Sequence, residues 1–195
     1  MNISLRPSQA SDAETVAELI MCSAPDILTF VFGHGDDVKP REFLQSSLAQ
    51  PDGQFGYANH IVAISDSNIA GVYCRWHDKL PADFDRATVD SIHRFFGIEE
   101  AMNIMFRSRE STRFFTPPQA HQLCIGHLAV DMKYRGHGIA RAMLADAIAF
   151  ARQIAKTHVV LDVALNNQPA IGLYLANGFI RGASTDGYLR MIYVL

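Results

Sequence analysis

Arg135-Gly136-His137-Gly138 is the stretch of this chain best suited to hold an anion. It stands between an apolar run, Leu123 to Val130, and a long Ala-rich run, Ile139 to Thr157, that is almost free of helix breakers. A strand, a tight glycine loop and a helix in that order expose backbone N–H groups. The helix start adds unpaired donors and a favourable dipole. A phosphorylated ligand is the expected guest. Two specific readings of such a loop fail. A P-loop nucleotidase needs Lys-Ser or Lys-Thr after its last glycine, whereas Ile139-Ala140 follows here. A dinucleotide fold needs a third glycine and an early place in the chain, and both are missing.

A second block lies downstream, Asn167-Gln168-Pro169-Ala170-Ile171-Gly172-Leu173-Tyr174 and then Gly178-Phe179. Pro169 suits the first turn of a helix and Gly178 the left-handed position just past its end. Phe179 opens the next strand. Tyr174 follows Asn167 by seven residues, and seven steps of ~100° fall only ~20° short of two turns. The Asn167 amide and the Tyr174 hydroxyl can therefore face one cleft.

The elements that must position these groups follow from periodicity. Ile3 to Arg6 reads as a short strand ended by Pro7. Ser11-Asp12-Ala13-Glu14 reads as a capping box opening a helix with Val16, Leu19 and Ile20 on one face. Asp36 to Pro40 is a helix entry, followed by the stripe Phe43, Leu44, Leu48. Ile61 to Ile64 and Ile69 to Arg75 are strands joined by the turn Asp66-Ser67-Asn68. Residues 76–120, opened by Pro81 and closed by Pro117-Pro118, read as a helical insertion between the third and fourth strands. Ile92, Phe95 and Phe96 suit one of its helices, broken at Gly97, and Met102, Met105 and Phe106 a second. Strands at Val159 to Ala164, from Phe179 and at Tyr188 to Val194 complete the pattern, with a helix from Pro169 to Asn177 and a turn at Asp186-Gly187. The mixture predicts an α/β protein with a mixed sheet in a single domain, 1–195.

Val130 to Leu144 followed by Asn167 to Phe179 resembles the GNAT superfamily of N-acetyltransferases in the order and spacing of both blocks. The N-terminal strand-helix-helix and the early hairpin agree. The resemblance implies a mixed sheet that splays between the Leu123–Val130 and Val159–Ala164 strands, flanked by helices, with acetyl-CoA in the gap. It implies that backbone N–H groups of Arg135, Gly136, His137, Gly138, Ile139 and Ala140 hold the pyrophosphate. Lys133 stands where the family pattern has Gln or Arg. The backbone of Leu128, Ala129 and Val130 would pair with the pantetheine arm, one N–H polarising the thioester carbonyl as an oxyanion hole does. Asn167 would hydrogen-bond the cofactor arm and Tyr174 would protonate the departing thiolate. A phenol at ~10 and a thiol at ~8.5 make that transfer modestly uphill.

The acceptor amine must be neutral to attack, so a general base is expected. Family members often carry Glu or His inside the strand leading to the Gly loop. Here Cys124 and Gly126 share the parity of Val130 and neither is a good base. His127 has the opposite parity unless a bulge flips it, and His121 lies at the strand start. His127 is the preferred candidate, with a satisfied strand histidine as the alternative. The function expected is acetyl transfer to a primary amine in a ternary complex, with the 76–120 insertion and the first helices walling the acceptor. An acyl-CoA-binding sensor, or an acyltransferase using a longer acyl-CoA, are the other readings.

Remaining features bound this picture. Asp162 inside a strand reads as a paired carboxylate, and Cys124 lacks the base pattern of a nucleophile. Phe95, Phe96, Phe106, Phe114 and Phe115 read mostly as core, some of them, with Tyr73 and Trp76, lining the acceptor pocket. The chain has 195 residues, 49% apolar and 19% charged, and a net charge of -3 that offers nothing to a nucleic acid. Inside 76–120, seven acidic face six basic side chains, so neither a strongly acidic nor a strongly basic acceptor surface is indicated. Cys22, Cys74 and Cys124 show no metal-ligand spacing, so no metal is expected and a reducing, cytoplasmic setting fits. No signal-like start and no run of ~20 apolar residues is seen, so no membrane is expected. Exposed hairpin edges leave room for a homodimer.

Overall fold

The strands are β1 (Ile3–Pro7), β2 (His60–Ser65), β3 (Asn68–Trp76), β4 (Gln122–Val130), β5 (His158–Ala164), β6 (Ile180–Thr185) and β7 (Tyr188–Val194). The helices are α1 (Ala13–Ser23), α2 (Pro25–Gly33), α3 (Val38–Leu48), α4 (Phe84–Phe96), α5 (Ile98–Ser111), α6 (Ile139–Gln153) and α7 (Gln168–Ala176). The computed structural model describes residues 2–111 and 113–195. Met1 and Thr112, which the expected domain and insertion include, lie outside the described residues. The strands form one sheet in the order β1-β2-β3-β4-β5-β7-β6. All neighbours are antiparallel except β4 and β5, which run parallel. That is the mixed α/β architecture expected, with α4 and α5 inserted between the third and fourth strands.

One register feature governs the site. β4 and β5 pair only through Gln122↔His158, Leu123↔Val159 and Cys124↔Val160. Beyond these the two strands part, so the β4 edge from Ile125 to Val130 and the β5 edge from Leu161 to Ala164 have no strand between them. Each strand remains held on its other side, β4 by β3 and β5 by β7. α6 closes one face over Leu123, Ile125, Val159 and Leu161, while α1 to α5 close the other over Val62, Val72 and Ala129. The splay is thus held open by two cores rather than by any feature of the gap itself.

Three local expectations change. The chain enters α1 through a 3-10 turn, Ala10–Asp12, and the reciprocal cap joins Gln9 and Asp12 rather than Ser11 and Glu14. Arg6 explains the shift: it grips the buried Asp12 carboxylate at 2.6 and 2.9 Å, and the Gln9 N–H donates to the same group. In α5 the inner face is Glu100, Ala101, Ile104 and Arg107, so Met102, Met105 and Phe106 point outward. Arg107 fixes that rotation by donating to the Val31 carbonyl at 2.7 Å and to Glu100 at 2.6 Å, with His34 against the same carboxylate. α2 was not foreseen at all, although Pro25 at its first position and Asp26 in its first turn are start signals. Among the described residues no single helix is long and apolar enough to cross a membrane, and the α1–α2 pair is bent by 108°.

Candidate functional site

The Gly loop is built as an anion cradle. Gly136 and Gly138 have φ of +80° and +83°, and a Cβ at either would meet nothing. Backbone conformation, not crowding, therefore calls for glycine there. Gly138 is the N-cap of α6 and offers no side chain to satisfy the first turn. Among the described residues the N–H groups of Gly136, His137, Gly138, Ile139 and Ala140 donate to nothing within the protein. Five adjacent unpaired donors at the positive end of a 15-residue helix can receive an anion. The Arg135 side chain turns back to the Val130 carbonyl at 3.2 Å, sealing the end of β4, and the His137 ring nitrogen Nδ1 lies 3.3 Å from the Tyr134 carbonyl. Lys133 uses its N–H on Asp131, leaving its ammonium in solvent.

Leu128, Ala129 and Val130 lead straight into this loop along the unpaired β4 edge. Across the splay, Asn167 caps α7 by accepting from the Ala170 N–H at 3.2 Å, which leaves its amide N–H₂ free. Tyr174 is 6% exposed, and its ring packs on Phe179 at 5.9 Å. Burial alone pushes its phenol up to about 12, so it stays protonated throughout the neutral range. The dry surroundings that raise the phenol also raise a thiol beside it.

His127 is where sequence parity left two options, and the backbone decides between them. The β3–β4 register shifts between Val72 and Cys74, and His127 takes a φ of +50°. This is a β-bulge, and it turns His127 onto the α1–α5 side of the sheet. There its ring lies parallel to Phe55 at 5.9 Å and meets the edge of Trp76 at 5.3 Å. Trp76 lies over Gly126, where a Cβ would collide with the indole. His127 Nδ1 is 3.1 Å from Nε2 of His60, whose Nδ1 is 2.9 Å from the Gly56 carbonyl. The two imidazole planes differ by 9° and their centroids are 5.4 Å apart. That separation is the 3.1 Å contact plus two ring radii, so the rings lie edge to edge in nearly one plane, aimed straight at each other. Burial pushes His60 down to about 4 and, with His60 beside it, His127 down to about 3. Both are neutral at neutral pH.

Cys74 completes the one group of potential metal donors among the described residues, with all donor atoms of His60, Cys74 and His127 within 4.8 Å. The geometry serves the hydrogen bond instead. The imidazoles point at each other rather than at a common centre, and burial pushes the Cys74 thiol well up. Cys124 is pushed up to about 12 by burial and by the nearby Asp162 carboxylate, which rules out a ready nucleophile. Asp162 is paired with Arg190 at 2.9 and 2.7 Å, both side chains being partly buried. Tyr73 does not face the acceptor side: it is fully buried against α6 with its hydroxyl on Asp146. His121 stays exposed, against His158.

A cavity of about 470 Å³ opens beside the far end of β5. Asp26 and Phe30 of α2 line it, together with Phe114, Leu165 and Tyr188 of the β6–β7 hairpin. Of the insertion aromatics only Phe114 reaches it; Phe95 and Phe96 stack in the core with Phe32 and Phe43, and Phe106 is exposed. Burial first, then Asp26, raises the Tyr188 phenol. His60 and this cavity are the parts sequence reasoning missed. Both depend on which strands and hairpins become neighbours, and no local pattern encodes that.

Comparison with known proteins agrees with this fold. A mouse protein named probable N-acetyltransferase family 8 member 5 is 33% identical over 101 residues, 51% of this chain and 44% of that one. A yeast protein named N-alpha-acetyltransferase 30 is 40% identical over 57 residues, 29% of this chain and 32% of that one. The chain thus matches less than half the length of these relatives. Among solved structures, an N-acetyltransferase from Staphylococcus aureus superposes with a TM-score of 0.69 at 16% identity, covering 97% of this chain and 99% of that one. The paia N-acetyltransferase of Thermoplasma acidophilum, solved with coenzyme A, gives 0.58 at 13% identity and full coverage of both. The model of the acetyltransferase (GNAT) family matches residues 59–179, from the strand that carries His60 to the phenylalanine that follows Gly178. With the splay, the bulge and the Gly loop all inside that match, the chain belongs to the GNAT family of acetyltransferases.

Proposed function

We propose that this chain is an acetyl-CoA-dependent N-acetyltransferase that brings donor and primary amine together in one ternary complex. The observation that carries this reading is the β4 edge left without a strand partner on the β5 side from Ile125 through Val130, followed after one turn by the unpaired Gly136–Ala140 donors. A pantetheine arm can add to the β4 edge as an extended peptide would, at Leu128, Ala129 and Val130, while the diphosphate takes the loop. One N–H of that edge polarises the thioester carbonyl. The free amide of Asn167 holds the arm from the β5 side, and Tyr174 returns a proton to the leaving thiolate. His127 accepts a proton from the attacking amine as the new C–N bond forms.

The cavity beside Phe30, Phe114 and Tyr188, with Asp26 as its carboxylate, suits an amine with an apolar body. A site whose base is held neutral favours an acceptor that is itself easily deprotonated. An α-amino group, at ~7.7–8.0, meets that need better than a lysine-type amine at ~10.4. The yeast relative's name, an N-alpha-acetyltransferase, points the same way. The three free cysteines fit a reducing cytoplasm. Initial-rate kinetics with a panel of α- and ε-amines, read by free-thiol release, tests the reading. Intersecting lines are expected. Parallel lines, or no thiol release with any amine, would overturn it.

A further inference from the structure

The hydrogens in the ring chain behind His127 can be assigned atom by atom. The Gly56 carbonyl only accepts, so His60 Nδ1, 2.9 Å away, carries a hydrogen. His60 is wholly buried and neutral, so its Nε2 is bare. His127 Nδ1 faces that bare nitrogen in line at 3.1 Å and must therefore be N–H. The remaining nitrogen, His127 Nε2, is left with a free lone pair, on a residue of intermediate exposure.

The far end of this chain is anchored as firmly as the near end. Gly56 sits in a loop so tightly wound that a Cβ there would collide with the Pro51 and Asp52 carbonyls. Its neighbours are fixed by Tyr57 N–H to the Gln50 carbonyl at 2.8 Å and by Gly56 N–H to Gly53 at 3.2 Å. His60 has no exposed surface. Besides the Gly56 carbonyl, its ring nitrogens meet His127.

We propose that His60 is a positioning residue that locks His127 in its Nδ1–H tautomer, leaving His127 Nε2 as the atom that takes the acceptor amine's proton. The proposal rests on the reading of His127 as base. In the step, an N–H bond of the amine breaks as its nitrogen bonds to the acyl carbon, and the proton forms a new bond at His127 Nε2. The resulting imidazolium keeps its Nδ1–H on the His60 lone pair, so its charge meets an acceptor and not a second proton. The ionisable groups facing His127 are His60 from β2 and Cys74 from β3, and Phe55 and Trp76 are its uncharged ring neighbours.

The test begins with the unsubstituted 21.6 kDa protein. Its 15N-imidazole spectrum at pH 7 should show His127 protonated at Nδ1 and bare at Nε2. His127 protonated at Nε2 overturns the proposal whatever the activity. His60→Phe removes the lone pair while keeping a ring in the core. It should shift His127 toward the Nε2–H tautomer and lower kcat by about tenfold or more, leaving KM for acetyl-CoA unchanged. His60→Gln, which restores an acceptor oxygen, should recover most of the loss. Equal kcat losses in both variants, with the His127 tautomer unmoved, would mean that His60 is only structural. If His60→Phe fails to fold, the spectrum of the unsubstituted protein still decides. If that spectrum is as expected but His127→Gln leaves turnover intact, the tautomer stands and the base assignment falls.

Discussion

The Gly136–Gly138 loop and the His60–His127 pair flank the same stretch of β4, and they are made of different materials. The loop works through backbone N–H groups and needs no side chain at either glycine, where a Cβ would meet only open space. The histidine pair works through side chains, and every atom of its arrangement depends on packing: a bulge, a glycine under Trp76, a wound loop at Gly56. The first is a local device that one segment of chain can specify. The second is assembled from four segments that meet only in the folded sheet. On the proposed reading the first serves the acyl donor and the second the acceptor.

Substitutions at either end should show whether the two halves are separable. The largest effect is expected from His127→Gln: turnover should fall by about a hundredfold or more while the acetyl-CoA Kd from calorimetry changes little. A matching loss of acetyl-CoA affinity would break the comparison. Tyr174→Phe should lower kcat by roughly ten- to a hundredfold in steady-state assays, again with little change in cofactor affinity; unaffected turnover would remove Tyr174 as the acid. Gly138→Ala should do the reverse. Forcing a left-handed φ on a residue with a Cβ costs about 1–2 kcal/mol, so acetyl-CoA should bind roughly tenfold more weakly, with kcat at saturation preserved.

The smallest effect at neutral pH concerns protons. His60 and His127 have folded-state values pushed down to about 4 and about 3, below the ordinary 6.5. The stability they contribute is therefore fully present above 6.5 and is lost as pH falls from there through 4 to 3. Denaturant melts between pH 7 and pH 4 should show this decline, and His127→Phe should flatten part of it. In activity, no enzyme inflection near 6.5 is expected; the rise of rate with pH should follow the acceptor's own amine.

The same division explains what could be read from the sequence. Strands and the hairpin turn at Asp66-Ser67 were legible because each rests on local periodicity and turn chemistry, while the two GNAT blocks were legible through their resemblance to the family. Both turn residues take positive φ, as the tight hairpin requires. The Ser11–Glu14 cap was misplaced because Arg6, from the preceding strand, captures Asp12. The outward turn of Met102, Met105 and Phe106 was missed because Arg107 reaches across to α2, and periodicity alone allows either face. His127 was legible only as a question of parity. Its answer lay in a register shift opposite Tyr73, and its partner His60 lies 67 residues away.

The three-pair seam between β4 and β5 has a consequence beyond catalysis. A sheet parted over most of that junction is missing one extended segment, and a pantetheine arm that adds to the β4 edge takes that segment's place. On the proposed reading the donor is a folding ligand as well as a reactant. At a hundredfold excess over its Kd, such a ligand stabilises the fold by about 2.7 kcal/mol. Amide exchange along Ile125–Val130 and Leu161–Ala164 should slow accordingly. The resistance of these strands to opening would thus report how fully the protein is charged with its cosubstrate.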